Sequence, residues 1–201
     1  MENSTDKKMT GGEAIVKSLI NEGVETIFGL PGIQLDPMFN ALHDSSNEIR
    51  VVNARHEQGV AYMAFGYAQS TGKPGVYAVV PGPGILNTTA ALSTAYACNS
   101  RVLAITGQIP SSYIGRELGM LHEIPNQLSV LEGLTKFAKR INYPSDAPAI
   151  VSEAFKNMRS GRPRPTAIEM PMDIMQHKSE GALRTFTDGY SPPAADPDLI
   201  K

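Results

Sequence analysis

Glu57 stands at the head of an apolar stripe, with Val60, Ala61, Ala64 and Ala68 at the i+3, i+4, i+7 and i+11 positions. That spacing turns one face of a helix toward a core. A carboxyl group placed there is pulled two ways. The helix N-terminus favours the anion, and apolar burial favours the neutral acid. Such an acid is suited to exchanging a proton with a ligand near neutral pH. The plainer reading of the same spacing is an acid that only complements the helix dipole. Two glycine-rich turns, Gly29-Leu-Pro-Gly32 and Pro81-Gly-Pro-Gly84, follow β-rich runs. Glycine there admits a flat ligand close to the backbone, or simply makes a tight turn. Gln108 ends the segment Ile105-Thr-Gly-Gln108, where its amide either orients a substrate or satisfies loop backbone. His122 sits in a long loop, as a substrate or proton-transfer group or as an ordinary surface histidine.

These residues come together only if the runs before them are parallel strands of one sheet, because such folds bind ligands at the carboxyl-terminal edge. The chain reads that way. Thr10-Gly-Gly-Glu13 has the form of a capping box. Ala14, Ile15, Leu19 and Ile20 follow at helical spacing, which predicts a helix over residues 11–22, stopped by Gly23. Further helices are expected at 35–43, 56–70, 84–97, 126–132 and 146–160. Strands are expected at 25–28, 50–53, 75–80, 101–106, 135–141 and 165–170. Gly75-Val-Tyr-Ala-Val-Val80 is a continuous apolar run, the mark of a strand covered on both faces. The expected fold class is α/β: a doubly wound, mostly parallel six-stranded sheet with helices on both faces. Residues 107–127 read as irregular, and a loop of that length is uncommon unless functional. Residues 10–177 are expected to form the domain, with 1–9 a disordered lead. Residues 178–201, with Ser191-Pro-Pro-Ala-Ala-Asp-Pro197, suit a linker toward a further domain.

Of 201 residues, 41% are hydrophobic and 19% charged, and the net charge is -2. A chain of this length buries a core without disulfide or metal staples. The charge balance gives no basic footprint for nucleic acid. A single cysteine, Cys98, excludes an internal disulfide framework and a cysteine-based zinc site. The run Val76–Val80 is far short of the ~20 apolar residues that cross a bilayer. Met1–Thr10 lacks the apolar segment of a signal peptide. No membrane association is expected, and the cytoplasm is the expected compartment. Gly82-Pro-Gly84-Ile-Leu-Asn87 lacks the third glycine of a dinucleotide fingerprint. His56-Glu57 and His122-Glu123 lack the second histidine of a zinc-protease motif, and no nucleophile elbow is present. No residue of the chain is expected to ligate a metal.

Six segments occur in a telling order: Phe28-Gly-Leu-Pro-Gly32, Arg55-His-Glu-Gln-Gly59, Ala64-Phe-Gly-Tyr-Ala68, Gly82-Pro-Gly84, Ile105-Thr-Gly-Gln108 and Gly161-Arg-Pro-Arg-Pro165. Over residues 9–175 the chain resembles the N-terminal, pyrimidine-binding domain of thiamine-diphosphate enzymes of the acetolactate synthase type. The resemblance implies that Glu57 hydrogen-bonds N1′ of the cofactor's aminopyrimidine and so promotes proton loss from C2 of the thiazolium. That carbon then adds to a 2-keto acid, which loses carbon dioxide. The resemblance places Pro31, Gly32, Gly82, Pro83, Gly84 and Asn87 with Glu57 around the cofactor, and Gln108 in the active-site region. It implies Mg²⁺ and diphosphate held by a C-terminal domain of the same or a second chain. The Gly-Asp-Gly…Asn motif of that domain is missing here. It also implies pairing into a homodimer or tetramer, and a domain that is inactive alone.

The long loop departs from the synthase pattern. Ile114-Gly115 is followed by Arg-Glu-Leu-Gly-Met-Leu-His-Glu-Ile-Pro125 in place of a stretch carrying Phe-Gln-Glu. Leu121, His122 and Glu123 are placed to take the corresponding space. A related 2-keto-acid decarboxylase or carboligase therefore stays open as an alternative. So does a non-catalytic interaction module of the same fold, whose small-residue helices (Ala61–Ala68 and Thr88–Ala95) would pack across an interface.

Overall fold

The computed structural model describes residues 8–180 and 194–199. β1 (Met9–Thr10) runs straight into α1 (Gly11–Asn21), followed by β2 (Thr26–Gly29), α2 (Asp36–Asp44) and β3 (Arg50–Asn53). α3 (Glu57–Thr71) leads to β4 (Gly75–Val79), then a short α4 (Pro83–Leu86) and α5 (Thr89–Ala97). β5 (Val102–Gln108), α6 (Gln127–Leu134), β6 (Phe137–Arg140), α7 (Ala147–Arg159) and β7 (Thr166–Pro171) come next. α8 (Met172–Gln176) and β8 (Lys178–Ser179) close the domain.

Six strands form one parallel sheet in the order β3-β2-β4-β5-β7-β6. Every residue of β4, β5 and β7 is buried, whereas the edge strands β3 and β6 are not. Side chains of the central strands alternate between two cores, as the period of a strand requires. Val76, Ala78, Leu103, Ile105 and Ile168 meet Ile15 and Leu19 of α1, Met38 and Leu42 of α2, and Phe155 of α7. Tyr77, Val79, Ala104 and Ala167 meet Val60 and Ala64 of α3, and Leu92 and Ala95 of α5. The doubly wound expectation therefore holds, and it brings the ends of β2, β3, β4 and β5 to one edge.

Local signals set most boundaries. In the capping box of α1, Glu13 N donates to Thr10 Oγ1 at 3.1 Å and Thr10 N donates to Glu13 Oε2 at 2.7 Å. Gly23, with φ 81°, ends the turn after α1. Three features differ from the expectation. The helix expected at 84–97 is two helices, because Thr88 Oγ1 donates to Ile85 O at 2.7 Å and accepts from the Tyr77 hydroxyl at 2.8 Å. A side chain that takes the carbonyl competes with the helix ladder. β5 runs through Gln108 rather than ending at Thr106. β1 and β8 pair antiparallel, Met9 opposite Ser179, so both reach past the expected limits of 10 and 177. Residues 1–7, 181–193 and 200–201 lie outside the described residues. Among the described residues, no helix is long and apolar enough to cross a membrane.

Three alanines of α3 are used inside the chain. Ala61, Ala64 and Ala68 are buried against the sheet, while Tyr62 and Gly66 of the same helix are exposed. α3 lies so close to β4 that a Cβ on Gly75 would stand 2.0 Å from Ala64 O. That atom is backbone and cannot rotate away. Gly75→Ala is expected to cost about 1–3 kcal/mol or more through forced separation of helix and strand. The measurement is the urea midpoint of the chain; an unchanged midpoint would mean that the two elements part without penalty.

Candidate functional site

The turn from β3 into α3 sets Glu57. His56 caps the helix, its Nδ1 accepting from Gln58 N at 3.2 Å, so Glu57 is the first helical residue. Val60, Ala61, Ala64 and Ala68 beneath it are buried, as their spacing predicts. Glu57 itself is only half-buried, which corrects the expectation of an enclosed acid. A first-turn position leaves one side of the carboxyl group open. Oε2 accepts from Asn87 Nδ2 at 3.0 Å. Oε1 lies 3.7 Å from where a Cβ on Gly84 would stand, and it takes no hydrogen bond among the described residues.

Asn87 reaches Glu57 because the chain breaks between α4 and α5. Leu86 N donates to Gly82 O and Asn87 N to Pro83 O, both at 3.0 Å, which makes one tight turn. Thr88, held by the buried Tyr77 hydroxyl, stops the turn there. Burial pushes the Tyr77 phenol up, only partly offset by the bond to Thr88, so it remains a donor at neutral pH.

The two glycine turns meet on one side chain. A Cβ on Gly32 would lie 2.4 Å from Val80 Cγ1, and one on Gly84 would lie 2.5 Å from Val80 Cγ2. Gly82 has φ 58° and ψ -118°, a conformation open to glycine. A Cβ there would also stand 2.4 Å from His122 O. Pro31 and Pro83 are exposed at the tips of the two turns.

The structure thus joins Glu57 to Asn87 and sets Gly84 beside them. His122 reaches the group by its backbone: it lies over Gly82 with φ 72°, and its Nδ1 is buried without a partner. It is not a plain surface histidine. Gln108 is buried as the last residue of β5, and its Oε1 accepts from Ile109 N at 2.8 Å. That bond fulfils the loop-backbone reading for its carbonyl. Gln108 also lines a cleft of about 240 Å³ with Ile114, Glu123, Gln127 and Arg140.

A buried polar network beside the cleft went unread in the sequence. Gln127 Oε1 accepts from Gly82 N at 2.9 Å, and Gln127 Nε2 donates to Gly107 O at 2.9 Å and to Glu169 Oε2 at 2.7 Å. Arg140 Nε donates to Glu169 Oε1 at 2.6 Å. The signal was present: an acid inside Thr166-Ala-Ile-Glu-Met170, a run that must be covered on both faces, requires a buried partner. Among the described residues, no three His, Cys, Asp or Glu side chains gather into a metal-binding cluster.

Comparison with known proteins bears on this edge of the sheet. Residues 9–130 match the family model of the thiamine pyrophosphate enzyme N-terminal TPP binding domain. The chain belongs to this family. It is 40% identical over 170 residues to an acetolactate synthase of Arthrospira platensis, covering 84% of this chain and 29% of that protein. It is 38% identical over 169 residues to a probable 2-ketoarginine decarboxylase of Pseudomonas aeruginosa, covering 84% of this chain and 30% of that protein. The acetolactate synthase large subunit of Lactococcus lactis is 36% identical over 169 residues, again 84% of this chain and 29% of the relative. The chain therefore spans less than a third of the length of these relatives. It is an N-terminal thiamine-pyrophosphate-enzyme domain of the acetolactate synthase type.

In this family member the loop after β5 is tied down at its start. Ser111 N donates to Asp173 Oδ1 at 2.9 Å and Ser111 Oγ donates to Oδ2 at 2.6 Å. Burial pushes the Asp173 carboxyl up, but the bonds from Ser111 and from nearby backbone N–H groups outweigh it and hold the carboxyl below its usual range. A group lowered in the folded state stabilises above the ordinary carboxylate value, ~4, and loses that contribution as pH falls through the folded value. Asp173→Asn is expected to lower stability at pH 7 by less than about 1 kcal/mol, the group being only partly shielded from solvent. The deficit relative to the parent is expected to shrink toward zero as pH is taken below ~4. Urea midpoints of both proteins across that range check it; a deficit that stays constant with pH removes Asp173 as the charged anchor.

Proposed function

We propose that this domain holds the aminopyrimidine ring of thiamine diphosphate for an enzyme that decarboxylates a 2-keto acid and joins the remainder to a second one. The observation that carries the reading is the free Oε1 of Glu57, aimed beside Gly84, with Oε2 already engaged by Asn87. When bound, thiamine diphosphate supplies the electron sink on which carbon dioxide can leave. Glu57 supplies a carboxyl oxygen that can hold or give up one proton toward a ring nitrogen. Asn87 donates to the other oxygen, which leaves Oε1 as the working one. A side chain on Gly84 would meet Val80 and crowd Oε1 of Glu57. Pro31, Gly32, Gly82 and Pro83 shape the walls. In this reading Gln108, at the end of β5, and His122, on the loop that crosses Gly82, belong to the substrate region.

The rest of the machinery lies on other surfaces. The reading has a C-terminal domain, of this or a second chain, hold the diphosphate and its Mg²⁺, with the chains paired as a homodimer or tetramer in the cytoplasm. Residues 10–177 are the working domain in this reading and 178–201 the linker. A second reading, a 2-keto-acid decarboxylase or carboligase, is favoured by the loop itself. Arg116 to Glu123 replace the Phe-Gln-Glu stretch of the synthases, and one relative is named a probable decarboxylase.

In the complete cofactor-loaded enzyme, Glu57→Gln is expected to keep the fold and slow exchange of the cofactor's C2 proton by ~10²–10⁴-fold, the usual worth of a positioned acid–base group. Proton NMR after mixing with deuterated buffer reads the rate. Exchange at the parental rate would remove Glu57 from the chemistry and favour the non-catalytic module.

A further inference from the structure

We propose that Gln127, anchored by the Glu169–Arg140 pair, is a positioning residue that fixes the Gly82 turn and through it the Asn87–Glu57 contact. The inference rests on the reading of Glu57 above and extends it to a residue on a different helix.

A glutamine amide has one accepting oxygen and two N–H donors. Gln127 is buried, and it uses all three. Oε1 accepts from Gly82 N at 2.9 Å, while Nε2 donates to Gly107 O at 2.9 Å and to Glu169 Oε2 at 2.7 Å. Turning the amide over would set its NH₂ against the Gly82 N–H and its oxygen against a carbonyl and a carboxylate. One orientation therefore survives. A glutamate at 127 would meet Glu169 with like charge, and an asparagine would be too short to span the same partners.

The far end of the clamp is equally fixed. Glu169 is fully buried, and its second oxygen takes Arg140 Nε at 2.6 Å. Moving a carboxylate so placed leaves a buried charge unpaired. From Gly82 onward the bonds are continuous: Leu86 N to Gly82 O, Asn87 N to Pro83 O, and Asn87 Nδ2 to Glu57 Oε2, each at 3.0 Å. The clamp and the acid are thus the two ends of one short chain of hydrogen bonds.

Two variants test it. Gln127→Leu keeps the bulk and removes the three bonds; Glu169→Gln keeps the shape and removes the charge that anchors the amide. Hydrogen–deuterium exchange on the full chain is expected to rise about tenfold or more over residues 82–88, with α3 and β5 still protected. In the complete cofactor-loaded enzyme, kcat is expected to fall roughly 10²-fold with KM nearly unchanged, as a misplacement on the order of 1 Å does. Unchanged exchange at 82–88, a uniform rise across the sheet, or loss of folding in both variants overturns the inference, because the network then serves the fold alone. If Gln127→Leu alone fails to fold, Glu169→Gln carries the same readouts. Glu57→Gln run beside them separates the two claims. Normal C2 exchange there with a loosened turn in Gln127→Leu sinks the reading of Glu57 and spares the clamp. Slowed exchange there with an unmoved turn sinks the clamp and spares Glu57.

Discussion

Val80 is a wedge between two glycines. Its two methyl groups occupy the places that side chains on Gly32 and Gly84 would need, at 2.4 and 2.5 Å. Contacts that short do not exist between real carbon atoms, so a side chain at either position requires Val80 or the backbone to shift. The sheet ladder joins the ends of β2 and β4, with Leu30 N donating to Ala78 O at 3.1 Å, and Val80 fills the gap that the two glycines leave, with Oε1 of Glu57 3.7 Å from where a Cβ on Gly84 would stand. A branched side chain just past β4 thereby fits only because two turns far apart in sequence both carry glycine against it.

Much of this arrangement was legible in the residues. The alternation of apolar runs and helical stripes gave a doubly wound sheet, because a strand buried on both faces leaves no other partner than helices. The stripe below Glu57 fixed its helix face, and Gly-Pro-Gly at 82–84 marked the turn. What escaped was tertiary. The break at Asn87–Thr88 depends on the Tyr77 hydroxyl, which comes from a neighbouring strand. No helical periodicity carries that information, yet the break is what delivers Asn87 to Glu57. The half-exposure of Glu57 escaped for a related reason. A stripe says which face points inward, but burial of the first residue depends on what lies beyond the end of the helix.

The polar network shows the same limit from the other side. Glu169 and Arg140 each sit in a strand, where alternation alone would assign a charged residue to solvent. β7 has strands on both sides, so Glu169 has no solvent to reach and must find a charge inside. Arg140 ends the edge strand β6 and keeps partial access to water. The edge position makes the pair tolerable: one member is desolvated and the other is not, which lowers the cost of bringing two charges together.

Exposure around Glu57 follows a pattern that bears on how such a site is completed. Ile33, Leu86 and Leu121 are exposed at 62%, 39% and 75%, and each adjoins in sequence a residue of the glycine turns, the Asn87 corner or the His122 loop. Under the proposed reading, exposed apolar side chains next to these turns suit a surface that a second domain covers. In that reading a cofactor ring lying against Glu57 with its diphosphate held by another domain requires such a surface. A deeply buried acid would be closed to the ring, and a fully solvated one would share its proton with water. Glu57, half-buried and with one oxygen free, lies between these limits, and in the proposed reading a second surface encloses it. On this account water exclusion comes from assembly, and the domain itself contributes direction: one oxygen bound by Asn87, the other aimed past a glycine.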